Sequence, residues 1–252
     1  MIGAKAGIIV ASVAALAWSA PGRAEKTTAE FASGATRPKS IALLPVDATV
    51  TRARLVETEG LIDDSVLYGE LFNAQVQALM ASKGYEVQVL DADRINADPQ
   101  LQEYFVDANR GFDDMMSKYK PKKLPSRIYN AGDSVRLLAD RLGVDAIAFS
   151  SLSMTITAAG NAIVSGLLGK STSGTGSNLA IVDGDTGDLE AVYWGIAVVT
   201  PGEKTDQEMH GYVVTVAERT INRLPDADPS ARIDVALGEE DVLDEVESLL
   251  QQ

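Results

Sequence analysis

"NLAIVDGDTGDLEAVYWGIAVV", residues 178–199, holds two β-rich runs around the acidic, glycine-containing centre DGDTGD. Aspartate and glycine enter the left-handed conformations of a tight turn at little cost, so the stretch predicts a hairpin of two antiparallel strands. The segment just before it decides whether the fold is a nucleotide-binding one. Residues 166–176, GLLGKSTSGTG, carry the glycines, lysine and hydroxyls of a loop that wraps phosphate. A P-loop also needs a glycine five positions ahead of its Gly-Lys pair and a helix directly behind it, whose first N–H groups surround the phosphates. Here Val164 stands at the glycine position, and TSGTGS runs straight into a strand. The connection therefore joins strand to strand.

Working towards the N-terminus, VDAIAFSSLSMTITA reads as a long strand after a helix, VRLLADRL, capped by Asp133 or Ser134 and ended by Gly143. Asp98 and Pro99 open another helix that runs to about Tyr119. The clearest helix begins at a cap on Asp64 or Ser65 and ends at Gly84, with Val66, Leu67, Leu71, Phe72, Val76, Leu79 and Met80 at helical spacing. IALLPVDA before it and YEVQVLD after it read as strands, while residues 49–63 show no clean period. Beyond the hairpin, Val213, Val216, Ala217 and Ile221 line a helix over residues 203–224 that stops at Pro225. These elements predict an α/β (α+β) fold, a single domain with a mixed sheet of about five strands flanked by helices.

Residues 1–24 place Lys5 ahead of the 13-residue apolar run AGIIVASVAALAW and the small-residue segment SAPGRA. This is the pattern of a secretory signal peptide, and the run is too short for a membrane span of about 20 residues. Its removal deletes Lys5 and Arg23 and no acid, so the formal charge of −14 becomes −16. Such a field repels nucleic acid and anionic lipid surfaces, which argues against both as partners. The absence of cysteine excludes disulfides, thiol nucleophiles, thiolate metal sites and lipidation at the cleavage point. The expected location is periplasmic or secreted, with no spanning segment in the mature form. Residues 25–40 read as a flexible lead-in, 41–225 as the α/β domain, and 226–252 as an acidic tail with a short amphipathic helix near Val242 to Leu250.

Candidate chemistry is sparse. DGDTGD has Asp183 and Asp185 where a calcium loop needs oxygens, but Gly187 and Asp188 are in reversed order and Trp194 stands where the bidentate glutamate belongs, so a turn is the better reading. His210 is the single histidine and has no HExxH-type neighbour. The lysines of residues 118–123 read as a solvated turn, the acids single out no general acid and base pair, and Tyr193 and Trp194 read as core and edge residues. No catalytic residue, cofactor or metal site is expected. Residues 160–177 remain, apolar and small at first and then rich in Gly, Ser and Thr, as a connection longer than compact domains usually carry. It reads as a hairpin excursion or as a contact to a neighbouring subunit or membrane surface, with Val164, Leu167, Leu168 and Lys170 as candidate contact residues.

The order of IALLPV, KGYEVQVL, LADRLGVDAIAFSSL, LAIVDGDTGDLEAVYWG and a helix closing on RLP resembles bacterial envelope proteins related to the curli secretion-channel subunit. Penicillin-binding-protein activator lipoproteins and the N-terminal domain of the Tol-system propeller protein share the same α/β unit. The resemblance covers about residues 41–225 and implies an envelope protein that works through protein contacts and carries no catalytic residues. Many relatives are lipoproteins, whereas this chain lacks the lipidation cysteine. The channel subunits use long membrane-inserting hairpins, for which residues 160–177 are the one candidate here, so pore formation is not expected. The resulting expectation is a non-enzymatic periplasmic accessory or assembly protein of the cell envelope whose partner is another envelope protein or itself. The alternatives are an oligomeric component of an export or secretion assembly and, less favoured, a small-molecule or nucleotide-binding enzyme.

Overall fold

A computed structural model of the chain describes residues 25–53, 58–120, 128–157, 174–199 and 204–228. In chain order these residues form β1 (Glu25–Thr27), α1 (Ala29–Ser33), β2 (Ser40–Leu43), β3 (Asp47–Ala53), β4 (Thr58–Gly60), α2 (Ile62–Ala81) and β5 (Glu86–Val89). There follow α3 (Ala92–Ala97), α4 (Pro99–Lys118), α5 (Asp133–Leu142), β6 (Ala146–Thr157), β7 (Gly174–Asp183), β8 (Leu189–Ala197) and α6 (Asp206–Ile221). The signal-peptide stretch and residues 229–252 lie outside the described residues.

The fold is α/β, and its one mixed sheet has eight strands rather than about five. The three additional strands are β1, β3 and β4. Two of them are only three residues long, and β3 carries a single fully buried side chain, Val50, so none gives the sequence a strong apolar alternation.

β6 is the spine of the sheet. It pairs antiparallel with β7 from Ala146↔Asp183 to Thr155↔Gly174, and β7 pairs with β8 through the expected hairpin. On its other side β6 receives β2 in parallel over residues 146–148 and β3 in parallel over residues 151–157. The break between β2 and β3 falls at Pro45, which has no N–H to give to a ladder.

Alternation along the strands divides the core in two. Ala146, Ala148, Leu152 and Met154 meet α2 and α6 on one face. Ile147 and Phe149 meet α4 and α5 on the other, where Phe112 stacks on Phe149 at 4.0 Å.

The helix ends show how local chemistry fixed the elements. Asp98 caps α4 by accepting from the N–H groups of Gln100 and Leu101, with Pro99 in the first turn. Thr205 and Glu208 form a reciprocal capping box on α6. Ser65 does not cap α2, which starts earlier at Ile62. Its hydroxyl donates to Leu61 O at 2.7 Å and accepts the N–H of Val50 at 2.9 Å, tying the first turn of the helix to β3.

Residues 25–40 are not the loose lead-in expected from their polar composition. β1 pairs antiparallel with β8, and Phe31 of α1 is wholly buried in the core. The Arg37 guanidinium donates to the carbonyls of Phe31, Ala32 and Asp226. One aromatic and one guanidinium anchor the segment, and a compositional reading averages them away.

α6 lies directly on β8 at Gly195. A Cβ built there would fall 2.3 Å from Thr220 Oγ1 and 2.3 Å from the backbone oxygen of Val216. Gly195→Ala is therefore expected to cost about 1–3 kcal/mol, read as a lowered Tm in thermal unfolding. Gly211→Ala, on a side of the same helix where a Cβ meets nothing within 4 Å, should raise stability. Equal Tm values for the two variants would contradict this packing.

Candidate functional site

The expected contact residues Val164, Leu167, Leu168 and Lys170 lie outside the described residues, and so does most of residues 160–177. The flanking strands are described and fix where that connection leaves and re-enters. Thr157 ends β6 opposite Ala53, and Gly174 opens β7 opposite Thr155. The chain thus passes between antiparallel neighbours in the sheet, which removes the strand-to-helix geometry of a P-loop.

The same end of the sheet exposes apolar side chains. α2 begins there, because Leu61 donates its N–H to Val50 O. Ile62, Val66 and Leu67 on its first turns are 79%, 57% and 55% exposed. Ile196 lies level with Thr49 of β3 through the register Thr49↔Ser153↔Gly176↔Ile196, and it is 50% exposed. Val198, just beyond β8, is 71% exposed. β1 covers β8 only over residues 191–193, so the outer edge of β8 runs past it, and the guanidinium of Arg219 donates to the carbonyl of Ile196. The sequence places Val66 and Leu67 at helical spacing with Phe72, Val76 and Met80 but does not say which of them face the core. The missed signal is that α2 carries apolar residues over more than one face, whereas a surface helix needs only one stripe.

The opposite end holds a cleft of about 300 Å³ whose lining includes Lys39, Asp145, Asp183 and Glu190. Its carboxylates are engaged by the fold. Asp145 accepts the N–H groups of Lys39 and Ser40, each at 2.9 Å, and so starts β2. Asp183 Oδ1 accepts from the N–H groups of Asp185 and Thr186 and from the Thr186 hydroxyl, which shapes the hairpin turn; Gly187 there has φ +75°.

Glu190 is only 8% exposed and accepts from the hydroxyls of Thr28 and Thr36, fastening the N-terminal segment to β8. Burial pushes its carboxyl up, against the pull of those two hydroxyls. Asp145 is pulled down, chiefly by the Ser40 N–H. Among the described residues no group of three or more Asp, Glu or His side chains is placed to hold a metal ion.

The remaining sequence candidates are separated. His210 is exposed on α6, and Lys118 pairs with Asp114 on α4. Tyr193 is fully buried and Trp194 half-buried, its ring 6.5 Å from that of Tyr119.

No known family model matches the chain, and no curated protein matches it. Solved structures give distant likenesses only. The PelC dodecamer of Paraburkholderia phytofirmans aligns at TM-score 0.35 and 7% identity, over 79% of this chain and 91% of that one. The lipoprotein GNA1162 of Neisseria meningitidis aligns at TM-score 0.32 and 13% identity, over 74% of this chain and 98% of that one. Likeness at this level assigns no function.

The two carboxylates of the cleft give stability opposite dependences on pH. For Glu190 the folded-state value lies above its ordinary 4.5, so its charged form opposes folding and that cost grows as pH rises through the raised value. For Asp145 the folded-state value lies below its ordinary 3.8, so its stabilisation is present above that pH and fades as pH falls. Glu190→Gln should therefore raise Tm at pH 8 and lose that advantage towards pH 4. Asp145→Asn should lower Tm at pH 8 and do so less as the acid limit is approached. Parallel Tm-versus-pH curves for wild type and variants would contradict these assignments.

Proposed function

We propose that the mature chain is a non-enzymatic accessory or assembly protein of the cell envelope, working through contacts with another envelope protein or with itself. The observation that carries this reading is the exposed apolar group Ile62, Val66 and Leu67 on α2. Fully burying such side chains is worth roughly 1.5–3 kcal/mol each, and contiguous apolar exposure marks interaction sites on soluble proteins. Ile196 is exposed on the other face of the sheet, since it alternates with Tyr193, Gly195 and Ala197 of the α2 and α6 side, so it is a separate apolar site at the same end. The connection that carries Val164, Leu167, Leu168 and Lys170 starts and ends there, which supports these four as further contacts. The acids of the cleft serve the fold, which favours a binding role over catalysis. The signal-peptide pattern and the absence of a lipidation cysteine support a periplasmic or secreted protein that is not itself lipid-anchored.

Self-association into a component of an export assembly is the second reading. It is favoured by the exposed side chains along the uncovered edge of β8, since unpaired strand edges template pairing with other chains.

Light scattering of residues 25–252 over a range of concentrations, alone and with envelope extract, tests both readings. A gain of mass with extract that is lost in Val66→Glu/Leu67→Glu, at unchanged Tm, is the expected result. A ring-sized mass for the protein alone would shift the assignment to an export component. A monomer under every condition, or a variant that associates as the wild type does, would overturn the contact reading.

A further inference from the structure

The cleft at the opposite end of the sheet from Ile62, Val66 and Leu67 carries more acid than base. Asp145, Asp183, Asp185 and Glu190 line it, against Arg37 and Lys39. Arg37 does not balance them, because its three guanidinium nitrogens donate to the carbonyls of Phe31, Ala32 and Asp226. Lys39 is exposed, and the carboxylate that its charge favours is Asp145.

The fold uses only half of two of these carboxylates. The hydroxyls of Thr28 and Thr36 both donate to Oε2 of Glu190, and the three donors of the hairpin turn all meet Oδ1 of Asp183. Among the described residues nothing donates to Glu190 Oε1 or to Asp183 Oδ2. Glu190 is more than nine-tenths buried, at 8% exposure, yet its free oxygen is not sealed in and opens on the cleft. The charged groups that act on it are Asp183 and Glu30, both acids. A carboxylate buried among acids is costly unless a cation meets it, and the described fold places none there.

The spacing of the acids bears on which cation fits. Asp145 precedes β6, Asp183 ends β7, Asp185 lies in the turn and Glu190 is on β8. No three of them are placed to hold one metal ion. A guanidinium presents a planar fork of donors that reaches two carboxylates at once, which a compact ammonium does not. The volume of about 300 Å³ suits a group of side-chain size, and the net charge of −14 draws cations towards the chain.

We propose that this cleft binds a guanidinium group from outside the chain, with Glu190 Oε1 and Asp183 Oδ2 accepting its N–H donors and Asp185 adding negative charge. The group comes from an arginine of a partner protein or from a free guanidinium solute. In the first case the molecule has a second contact point, at the other end of the sheet from α2. The inference does not depend on the apolar group of that helix.

Calorimetric titration of residues 25–252 with N-acetyl-arginine amide at low salt tests it. The arginine amide should bind saturably, the lysine amide more weakly, and the citrulline amide, of the same shape without the charge, not at all. Glu190→Gln keeps an acceptor for Thr28 and Thr36 and should weaken binding by roughly ten-fold or more, at a Tm no lower than that of the wild type. Asp185→Asn guards against a misfolded variant, because its side chain bonds to nothing among the described residues, and it should weaken binding several-fold. Lys39→Met removes the competing cation and should tighten binding. No saturable binding, equal affinity for the arginine and lysine amides, or affinity unchanged in both Glu190→Gln and Asp185→Asn would overturn the proposal. With probe binding established, light scattering with envelope extract separates the two sources. A gain of mass lost in Glu190→Gln assigns a partner's arginine, and a gain kept in that variant assigns a free solute. Probe binding with no gain of mass at all leaves this site standing while the contact reading of α2 falls.

Discussion

The antiparallel ladder between β6 and β7 is the constraint on which the rest of the molecule is built. It gives β6 a partner along nearly its whole length and leaves the opposite edge free for β2 and β3, two separate strands that both run parallel to it. Because side chains alternate on β6, the same ladder sends Ala146, Ala148, Leu152 and Met154 towards α2 and α6, and Ile147 and Phe149 towards α4 and α5. A slip of one residue would exchange these two sets, so register and layer arrangement are fixed together.

Elements whose chemistry is local were legible in the sequence. Asp98 with Pro99, Gly143 with φ +69°, and the Asp183 turn each satisfy their backbone groups within a few residues, and all three stand where expected. What escaped depends on distant partners. β1 exists because Tyr193, Val192 and Ala191 offer it an edge, and nothing in Glu25 to Thr27 announces that. β3 is a strand because β6 lies beside it, although its own pattern is mixed. The first turn of α2 is held by Val50 and Ser65 together, so its start could not be read from a capping residue alone.

The candidate surface was legible only in part, for a related reason. Periodicity identified Val66 and Leu67 as helical and apolar, but the side they face depends on where β3 lets the helix sit. At Gly69 an added Cβ would lie 2.9 Å from Val46, so the helix backbone is pressed onto the sheet along that line. The side carrying Val66 and Leu67 is thereby turned outward. Conversely, the abundance of acids suggests no chemistry in sequence, and the structure supplies the reason at Asp145, Asp183 and Glu190. Each is bound to backbone N–H or hydroxyl groups that shape a strand start, a turn or the N-terminal anchor. Among the described residues, the exposed side chains of Ile62, Val66 and Leu67 are not buried in the core, and exposed apolar area is a property suited to contact.

Hydroxyl-radical footprinting of the protein in intact envelopes, compared with the purified chain, tests that claim most directly. Strong protection of Ile62, Val66 and Leu67 in the envelope, with Leu137 of α5 labelled equally in both samples, is the predicted result. Equal labelling of all four side chains would show that the apolar end of α2 meets no partner where the protein works, and would contradict the account.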